Sequence, residues 1–213
     1  NQFDKETLWA YELGSKSTLL DGALLLNAAA YYQDYTDKQV GVSRFDPVIQ
    51  SDVGSIENAG EARIYGLELE ATWAITDRWT LDAQYAYTDS EYTKFEFDTG
   101  SLNNVARNLA GGGGGCLNII PSEGTGEPDD TTELCTISLT GNDVEDVPKN
   151  SFVTNLRYEA PIDSRTSWYA GGSYIYRDSR YIDEYNVKEL DSYWLLNLRA
   201  GLVKDRMEFI FFI

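Results

Sequence analysis

The feature that most constrains this fold is an alternation with a period of two in the stretch NAGEARIYGLELEATW, residues 58–73. From Tyr65 to Trp73 the large apolar residues fall on every second position, and Glu68 and Glu70 lie in the row between them. Successive side chains of a β-strand point to opposite faces of its sheet. The stretch therefore predicts a strand with one apolar face and one polar face.

The same alternation recurs at seven other places, whose apolar rows begin at Trp9, Leu24, Trp79, Phe152, Trp168, Trp194 and Met207. Eight strands are predicted, most of them longer than the roughly 9–11 residues that a tilted strand needs to cross a bilayer. No run of 18 apolar residues is present, so the sequence predicts no transmembrane helix.

The connections between these strands alternate in length. Tight turns are predicted at 19–22, 76–78, 161–165 and 204–206, and long connections at about 35–57, 89–149 and 178–190. An antiparallel up-and-down barrel with one tight rim and one looped rim has this order. A soluble sandwich with Greek-key connections does not.

The polar rows indicate what the barrel encloses. They contain Glu68, Glu70, Asp82, Gln84, Asn155, Glu159 and Arg199. A small soluble barrel fills its interior with apolar side chains. These residues are therefore predicted to line the wet lumen of a wide transmembrane barrel, while the apolar rows face lipid. Aromatic residues concentrate near the strand ends, where the interfacial girdles of such barrels lie.

Composition excludes several functions. With 17 basic and 35 acidic residues the chain carries a net charge of −18, which argues against a nucleic-acid partner. It contains no histidine, which excludes a Ser-His-Asp triad and an H-E-x-x-H metal site within these residues. No phosphate-binding glycine loop is present either. We therefore expect a protein that is not an enzyme and needs no cofactor.

Four segments in order resemble the barrel of TonB-dependent outer-membrane receptors. They are residues 9–40, residues 58–92, VPKNSFVTNLRYEAP at 147–161 and LLNLRAGL at 195–202. The resemblance implies a 22-stranded barrel with an N-terminal plug and a TonB-contacting segment. Residues 1–213 are then expected to be a partial barrel domain, about eight strands or roughly a third of the wall, without the plug and the last strands. In isolation the eight strands are expected to form an open sheet.

What this family does is also implied by the resemblance. Its members take up a scarce ligand, such as an iron–siderophore complex, cobalamin or a carbohydrate, across the outer membrane of Gram-negative bacteria. The implied partners are outer-membrane lipid, an extracellular small-molecule ligand, and the TonB–ExbB–ExbD complex acting through the missing N-terminal region. The long loops are expected to be extracellular. Two alternatives stay open: a passive porin-type channel, and a soluble β-rich binding module.

The connection at about 89–149 is the most individual segment. Between Asn108 and Pro148 it contains no lysine or arginine and eight acidic residues. These acids could capture a cationic or metal-bearing ligand, or calcium, or they could only be solvated. Cys116 and Cys135 lie within it, and a disulfide between them is the simpler interpretation, with two free thiols as the alternative.

Cationic and aromatic residues are the candidate ligand contacts. They are Arg157, Arg177, Arg180 and Tyr181, placed where an anionic or aromatic ligand would pass. The alternative is that the arginines pair with Glu68, Glu70 or Glu159, or with the plug. Pairing of this kind is favoured for Arg157 and Arg199.

Overall fold

The computed structural model of the chain describes residues 4–46, 51–99, 116–121 and 133–213. For 42–46, 51–53, 55, 57, 59, 97–99, 116–121 and 133–137 only the backbone is described. Among the described residues, no helix has both the length and the apolar character needed to cross a bilayer.

The chain forms an antiparallel wall of eight strands, which meets the prediction. In chain order and with each strand paired to the next, they are β1 (Thr7–Leu19), β2 (Leu24–Asp46), β3 (Ser51–Ala74), β4 (Trp79–Thr99), β7 (Asn150–Pro161), β8 (Thr166–Arg177), β11 (Tyr193–Lys204) and β12 (Met207–Phe212). Within the described residues β12 does not pair with β1, so the sheet is open, as expected.

Two small hairpins extend from the looped end of the wall. Strands β5 (Cys116–Pro121) and β6 (Glu133–Ser138) pair with each other, and β6 also pairs with the end of β4. Strands β9 (Arg180–Tyr181) and β10 (Glu189–Leu190) form a separate two-stranded pair.

The long connections are shorter than predicted. Strands β2 and β3 stay paired as far as Asp46 and Ser51, so the expected connection over 35–57 is mostly strand. Strand β4 likewise continues to Thr99, ten residues past the predicted start of the loop at 89. Register shifts interrupt the period of two in these extensions, and without an unbroken alternation the sequence does not mark them as strand.

Tight turns close the opposite end of the wall. The first turn, Leu20–Gly22, is left-handed, with φ angles of 53°, 54° and 93° at Leu20, Asp21 and Gly22. In the 161–165 turn the Asp163 carboxylate accepts a hydrogen bond of 2.8 Å from the Arg165 N–H. Hydrogen bonds of this kind, from an aspartate side chain to the backbone of its own turn, stabilise short connections between strands.

Strand register places the apolar rows on one common face. Leu69 lies opposite Tyr85, Tyr85 opposite Phe152, Phe152 opposite Tyr176 and Tyr176 opposite Trp194. Members of these rows are strongly exposed, with 80% of Leu13 and 63% of Trp194 accessible. An apolar face of this extent is what a lipid-facing wall presents.

Aromatic rings form two rows on this apolar face. Near the tight turns, the ring of Tyr158 lies 4.8 Å from that of Trp79 and 5.2 Å from that of Trp168. Toward the looped end, Tyr174 lies 6.3 Å from both Phe152 and Trp194. Tyr176, which lies opposite Phe152 and Trp194 at the level of the second row, is eight positions after Trp168 on β8. Eight positions span about 26 Å along the strand, which is roughly 20 Å across a membrane at a tilt of about 40°.

A small buried core lies at the looped end, beyond the second aromatic row. It contains Val40, Ala62, Tyr92, Phe95, Leu139 and Val144, none more than 7% exposed. We call this core, together with Lys38, segment 139–149 and the 178–190 connection, the cap. Register shifts lie within this core, between β2 and β3 on either side of Lys38 and between β3 and β4 at Glu61 and Ala62. Such a shift changes the direction in which the following side chains point.

Candidate functional site

The predicted lumen residues share the polar face of the sheet. Glu70 lies opposite Gln84 and accepts a 3.3 Å hydrogen bond from the Asn27 amide. Asp82 lies opposite Asn155 and accepts a 2.9 Å bond from the Thr72 hydroxyl. Glu68 lies two residues from Glu70 on the same strand, so it points to the same face. That this face lines a lumen stays a prediction.

On the polar face, Arg157 and Glu159 lie toward the tight-turn end and Arg199 lies in the middle of β11. The Arg157 Nη2 atom is 2.8 Å from Glu159 Oε2, and its guanidinium lies 4.0 Å from the Tyr169 ring centre. Gly171 of β8 lies between Arg157 of β7 and Arg199 of β11, which are its partners on the two sides. A cleft of about 490 Å³ opens here, lined among others by Asp77 and Arg78. Arg157 is therefore paired with a carboxylate, as the alternative hypothesis proposed.

Two tyrosines cover glycines on this polar face. A Cβ at Gly66 would lie 2.6 Å from the Tyr31 hydroxyl and would overlap the Tyr87 carbonyl oxygen. A Cβ at Gly201 would overlap the ring of Tyr169, whose hydroxyl donates a 2.8 Å hydrogen bond to Glu208. Glycine at these two positions leaves the space that the tyrosine side chain occupies, and the sequence pattern alone did not predict either pair.

The other predicted ligand contacts lie at the looped end. Arg177 is exposed and lies opposite Ser151 and Tyr193. The Arg180 Nε atom is 3.3 Å from Asp146 Oδ1, and the Tyr181 carbonyl accepts a 2.8 Å hydrogen bond from the Asp146 N–H. The four candidates therefore do not form one site, because Arg157 lies at the opposite end of the wall.

The cap contains a three-residue polar network that the sequence did not reveal. The Lys38 ammonium is 3.1 Å from Glu145 Oε1 and donates a 3.2 Å hydrogen bond to the Tyr92 hydroxyl. That hydroxyl donates a 2.6 Å bond to Glu145 Oε2. Each group therefore bonds the other two, and the network ties segment 139–149 to strands β2 and β4. Glu145 is 107 positions from Lys38, so no local pattern predicts the pair.

Charge and burial act in opposite directions on this network. Burial raises the pKa of Glu145, but the Tyr92 hydroxyl and the Lys38 ammonium outweigh it and hold that pKa below its ordinary value. Burial and the hydrogen bond to Glu145 together raise the pKa of Tyr92 well above its usual range. The carboxylate is thus the stable anion of the network.

A second carboxylate borders the same place. Glu184 and Glu145 line a cleft of about 220 Å³ together with Lys38, Tyr92 and Val40. Burial, followed by the charges of Glu145 and Asp183, raises the pKa of Glu184. Burial likewise raises the pKa of the adjacent Tyr185 to about 12. In this cleft the anionic form of Glu145 is therefore stabilised and the anionic form of Glu184 is destabilised.

Further bonds join the cap to the 178–190 connection. The Asn142 amide donates a 2.9 Å bond to the Glu184 carbonyl, and the Asp143 N–H donates a 2.7 Å bond to the Asn186 side chain. Asp143 also lies 3.5 Å from the Lys149 ammonium. Two connections that are distant in sequence are thereby held as one unit.

The acidic segment is only partly a solvated run. In the part that the structure describes, Asp143, Glu145 and Asp146 each pair with a lysine or an arginine from outside Asn108–Pro148. Glu123, Glu127, Asp129 and Asp130 lie outside the described residues, as does the side chain of Glu133. Among the described side chains no three acidic or cysteine groups converge on a metal site.

The predicted disulfide lies outside the described side chains. The backbone places Cys116 opposite Ile137 and Cys135 opposite Ile119 on the paired strands β5 and β6. The bridge stays a prediction.

An antiparallel wall with one apolar face, two aromatic rows and one polar face defines a transmembrane β-barrel segment. The family model described as "TonB dependent receptor-like, beta-barrel" matches residues 1–206. The chain belongs to this family of outer-membrane receptors and transporters, which are not enzymes.

Curated relatives match a part of the chain. A probable TonB-dependent siderophore receptor, PiuA of Acinetobacter baumannii, is 37% identical over 91 residues, which are 43% of this chain and 11% of that protein. The metal-pseudopaline receptor CntO of Pseudomonas aeruginosa is 38% identical over 105 residues, 49% of this chain and 13% of that protein. The match thus spans about an eighth of the length of these relatives.

Solved structures share the fold. The ferric yersiniabactin uptake receptor FyuA of Yersinia pestis superposes with a TM-score of 0.64 at 20% identity, covering 97% of this chain and 24% of that one. The siderophore receptor PiuA gives a TM-score of 0.57 at 26% identity, covering 91% of this chain and 22% of that one. The likeness to FyuA concerns the fold alone.

Proposed function

We propose that the chain forms part of the wall and the outer rim of a receptor that takes up a small extracellular ligand by TonB-energised transport. An iron–siderophore or related metal–chelate complex is the ligand class. The observation that carries the proposal is the family match over residues 1–206, joined to relatives named as siderophore and metal receptors.

The two faces of the wall support this role. The polar face, with Glu68, Glu70, Asp82 and Gln84, would border the lumen and the plug, and the apolar face would meet lipid. On that face Arg157 and Glu159 lie toward the tight-turn end and Arg199 lies in the middle of β11, and we propose that they contact the plug and not the ligand. The tight turns would then be periplasmic and the cap extracellular.

At the cap, the wall would meet the ligand. We propose Arg177 as a ligand contact, because it is exposed on the polar face at the looped end. Arg180 is largely covered, with 17% of its side chain accessible, and it pairs with Asp146. We therefore assign Arg180 the role of holding the rim, not that of binding the ligand.

Uptake by the full-length protein tests the proposal. A strain lacking the gene is complemented with the wild-type copy, and accumulation of radioactive iron from a panel of iron-loaded siderophores is measured with and without TonB. Uptake that requires both the receptor and TonB is expected for at least one complex. Uptake that persists without TonB would instead indicate a passive porin-type channel and would overturn the proposal.

The ligand-contact assignment needs its own comparison. In the full-length protein, Arg177→Gln should lower ligand affinity, since it removes a charge that faces the passage. Arg180→Gln should leave affinity nearly unchanged and increase protease cleavage within 178–190, because it releases Asp146. Equal losses of affinity for the two variants would contradict the division of roles.

A further inference from the structure

The apolar face of the wall contains a groove of about 720 Å³, within the size range of ligand sites. It runs across β4, β7, β8 and β11. Its floor is Ala170 and Gly172, and Gly172 lies directly between Leu156 and Leu198 on the neighbouring strands. A missing side chain between two leucines leaves a depression where the rest of the face carries large side chains.

The tight-turn end of the groove is walled by aromatic rings. Trp79, Tyr158 and Trp168 pack side by side there. Such a row marks the level at which the hydrocarbon of a membrane gives way to headgroups. The groove therefore extends from the headgroup level into the hydrocarbon layer, along the direction of an acyl chain.

Cationic side chains lie just beyond this aromatic row. The Arg78 guanidinium donates a 3.4 Å hydrogen bond to the Tyr158 hydroxyl, which fixes it at the rim above the groove. Lys204 lies two residues beyond Leu202, whose partner across the strands is Trp168, so it shares the face and the end of the groove. Arg165 and Arg206 lie in the adjacent turns.

Three acidic residues lie in the same turns, namely Asp77, Asp163 and Asp205. The charge of Lys204 acts on the Asp163 carboxylate. Asp163 accepts a bond from the backbone of its own turn, and Glu159 pairs with Arg157 on the polar face. Asp77 lines the polar-face cleft, which Arg78 also borders from the rim. The turns 76–78, 161–165 and 204–206 together contain four cationic and three acidic residues, so this edge is slightly cationic in a chain with a net charge of −18.

We propose that this groove binds one acyl chain of an anionic phospholipid, with the lipid phosphate held by Arg78 and Lys204. The site is a specific lipid site, as distinct from the general lipid contact of the wall. It rests on the proposed function only for its placement, since periplasmic tight turns put it in the inner leaflet of the outer membrane, where phospholipids are found.

Native mass spectrometry of the purified full-length protein tests the site. The protein is titrated with phosphatidylglycerol and with phosphatidylethanolamine of the same acyl chains. One tightly held phosphatidylglycerol is expected per protein. Arg78→Gln should weaken it by about fivefold, the effect of one cation at a membrane surface, while Lys94→Gln at the opposite end should not.

The apolar half of the site is tested by filling the groove. A Cβ at Gly172 would lie 2.9 Å from the Leu198 Cδ2 atom, at the end of a movable side chain, and 3.3 Å from the Asn197 carbonyl oxygen. Gly172→Leu therefore requires Leu198 to move and the neighbouring backbone to shift by a few tenths of an ångström, and it fills the depression. It should abolish the stoichiometric lipid, and Ala71→Leu, on the same face but outside the groove, should not. Heat-modifiable gel mobility verifies that each variant is folded, and Ala170→Leu replaces Gly172→Leu if that variant fails.

Three results would overturn the proposal: equal affinity for the two lipids, lipid retained by the folded groove-filling variant, or a second copy of the protein occupying the face. Because lipid binding is measured on the purified protein, it does not depend on uptake. Failure of TonB-dependent uptake with lipid binding intact would reject the proposed function alone.

Discussion

The wall and the cap place their apolar side chains in opposite ways. Among the described side chains eight apolar residues are buried, and six of them belong to the cap. In the wall the large apolar residues lie on the outside, as Leu13 and Trp194 do. The cap buries its apolar side chains away from water, whereas the wall presents them on its outer surface as a lipid-facing sheet does. The chain changes from one rule to the other within single strands, since β2, β3 and β4 belong to both regions.

The transition coincides with the register shifts near Lys38 and Glu61. Below them, odd-numbered residues of β3 such as Tyr65 and Leu67 point to the apolar face. Ala62 lies on the wall side of the Glu61/Ala62 shift, in the even-numbered row of β3 that also contains Glu68, and it is fully buried in the cap. The cap therefore continues the polar face of the wall, since Ala62 and its partner Tyr92 share the row of Glu68 and Ala86. Along this one face, the side chains change from polar in the wall to apolar in the cap.

The largest expected effect comes from emptying the cap. Phe95→Ala should destabilise the cap by about 3–5 kcal/mol, because the cavity cannot be refilled by lipid. Hydrogen exchange of the Leu139 amide, which bonds the Phe95 carbonyl at 2.8 Å, measures this opening in the full-length protein. Phe209→Ala on the apolar face is the matched control and should cost much less, because lipid replaces the ring. Similar costs would show that the two regions do not differ in solvent.

A charge placed on each face of the wall tests the facing assignment. Leu69→Arg should cost about 2–4 kcal/mol of folding free energy near the bilayer midplane, and Glu68→Arg on the polar face should cost much less. Reversible unfolding of the full-length protein from vesicles provides the measurement. If Glu68→Arg is as costly as Leu69→Arg, the polar face does not border water.

Close approach on the polar face should give a smaller effect. Gly66→Ala must displace the Tyr87 carbonyl and the Tyr31 ring, so it should destabilise the wall by about 1–3 kcal/mol. Gly14→Ala is the control, since its Cβ would lie 3.5 Å from the nearest atom, the Ala28 carbonyl oxygen. An unfolding midpoint that shifts equally for both would mean that the Tyr31–Gly66 contact is not tight.

The wall could be predicted from the sequence and the cap could not. Eight strands, their pairing order and the shared face of rows such as Tyr65–Trp73 follow from a period of two, which lipid on one side and polar groups on the other make unusually clean. The cap depends on contacts such as Lys38 with Glu145, which are 107 positions apart, and on bulges that no residue pattern marks. The sequence named Arg157, Arg177 and Arg180 as candidate contacts without placing them relative to one another, and only the register shows that Arg157 lies far from Arg177 along the wall.

The smallest expected effect is a pH dependence of the cap, and it has two opposing parts. The pKa of Glu145 is lowered, so its stabilisation is present at neutral pH and is lost as the pH falls through that lowered pKa. The pKa of Glu184 is raised, so its contribution is favourable below the ordinary glutamate pKa of about 4.3 and is lost as the pH rises through the raised value. Ionised Glu184 therefore destabilises the cap at neutral pH.

Two substitutions separate these parts. Glu184→Gln should slow opening of the cap at pH 7, measured by hydrogen exchange of the Tyr92 and Leu139 amides after correction for intrinsic rates, and the difference from wild type should vanish below about pH 4.3. Lys38→Met should instead speed opening at pH 7, because Glu145 keeps its charge and loses its cation. If Glu184→Gln speeds opening at neutral pH, the carboxylate is a structural anion of the cap and the rule that separates Glu145 from Glu184 is wrong. Amide hydrogen exchange in the paired strands of the wall is the reference measurement, because neither substitution should change it.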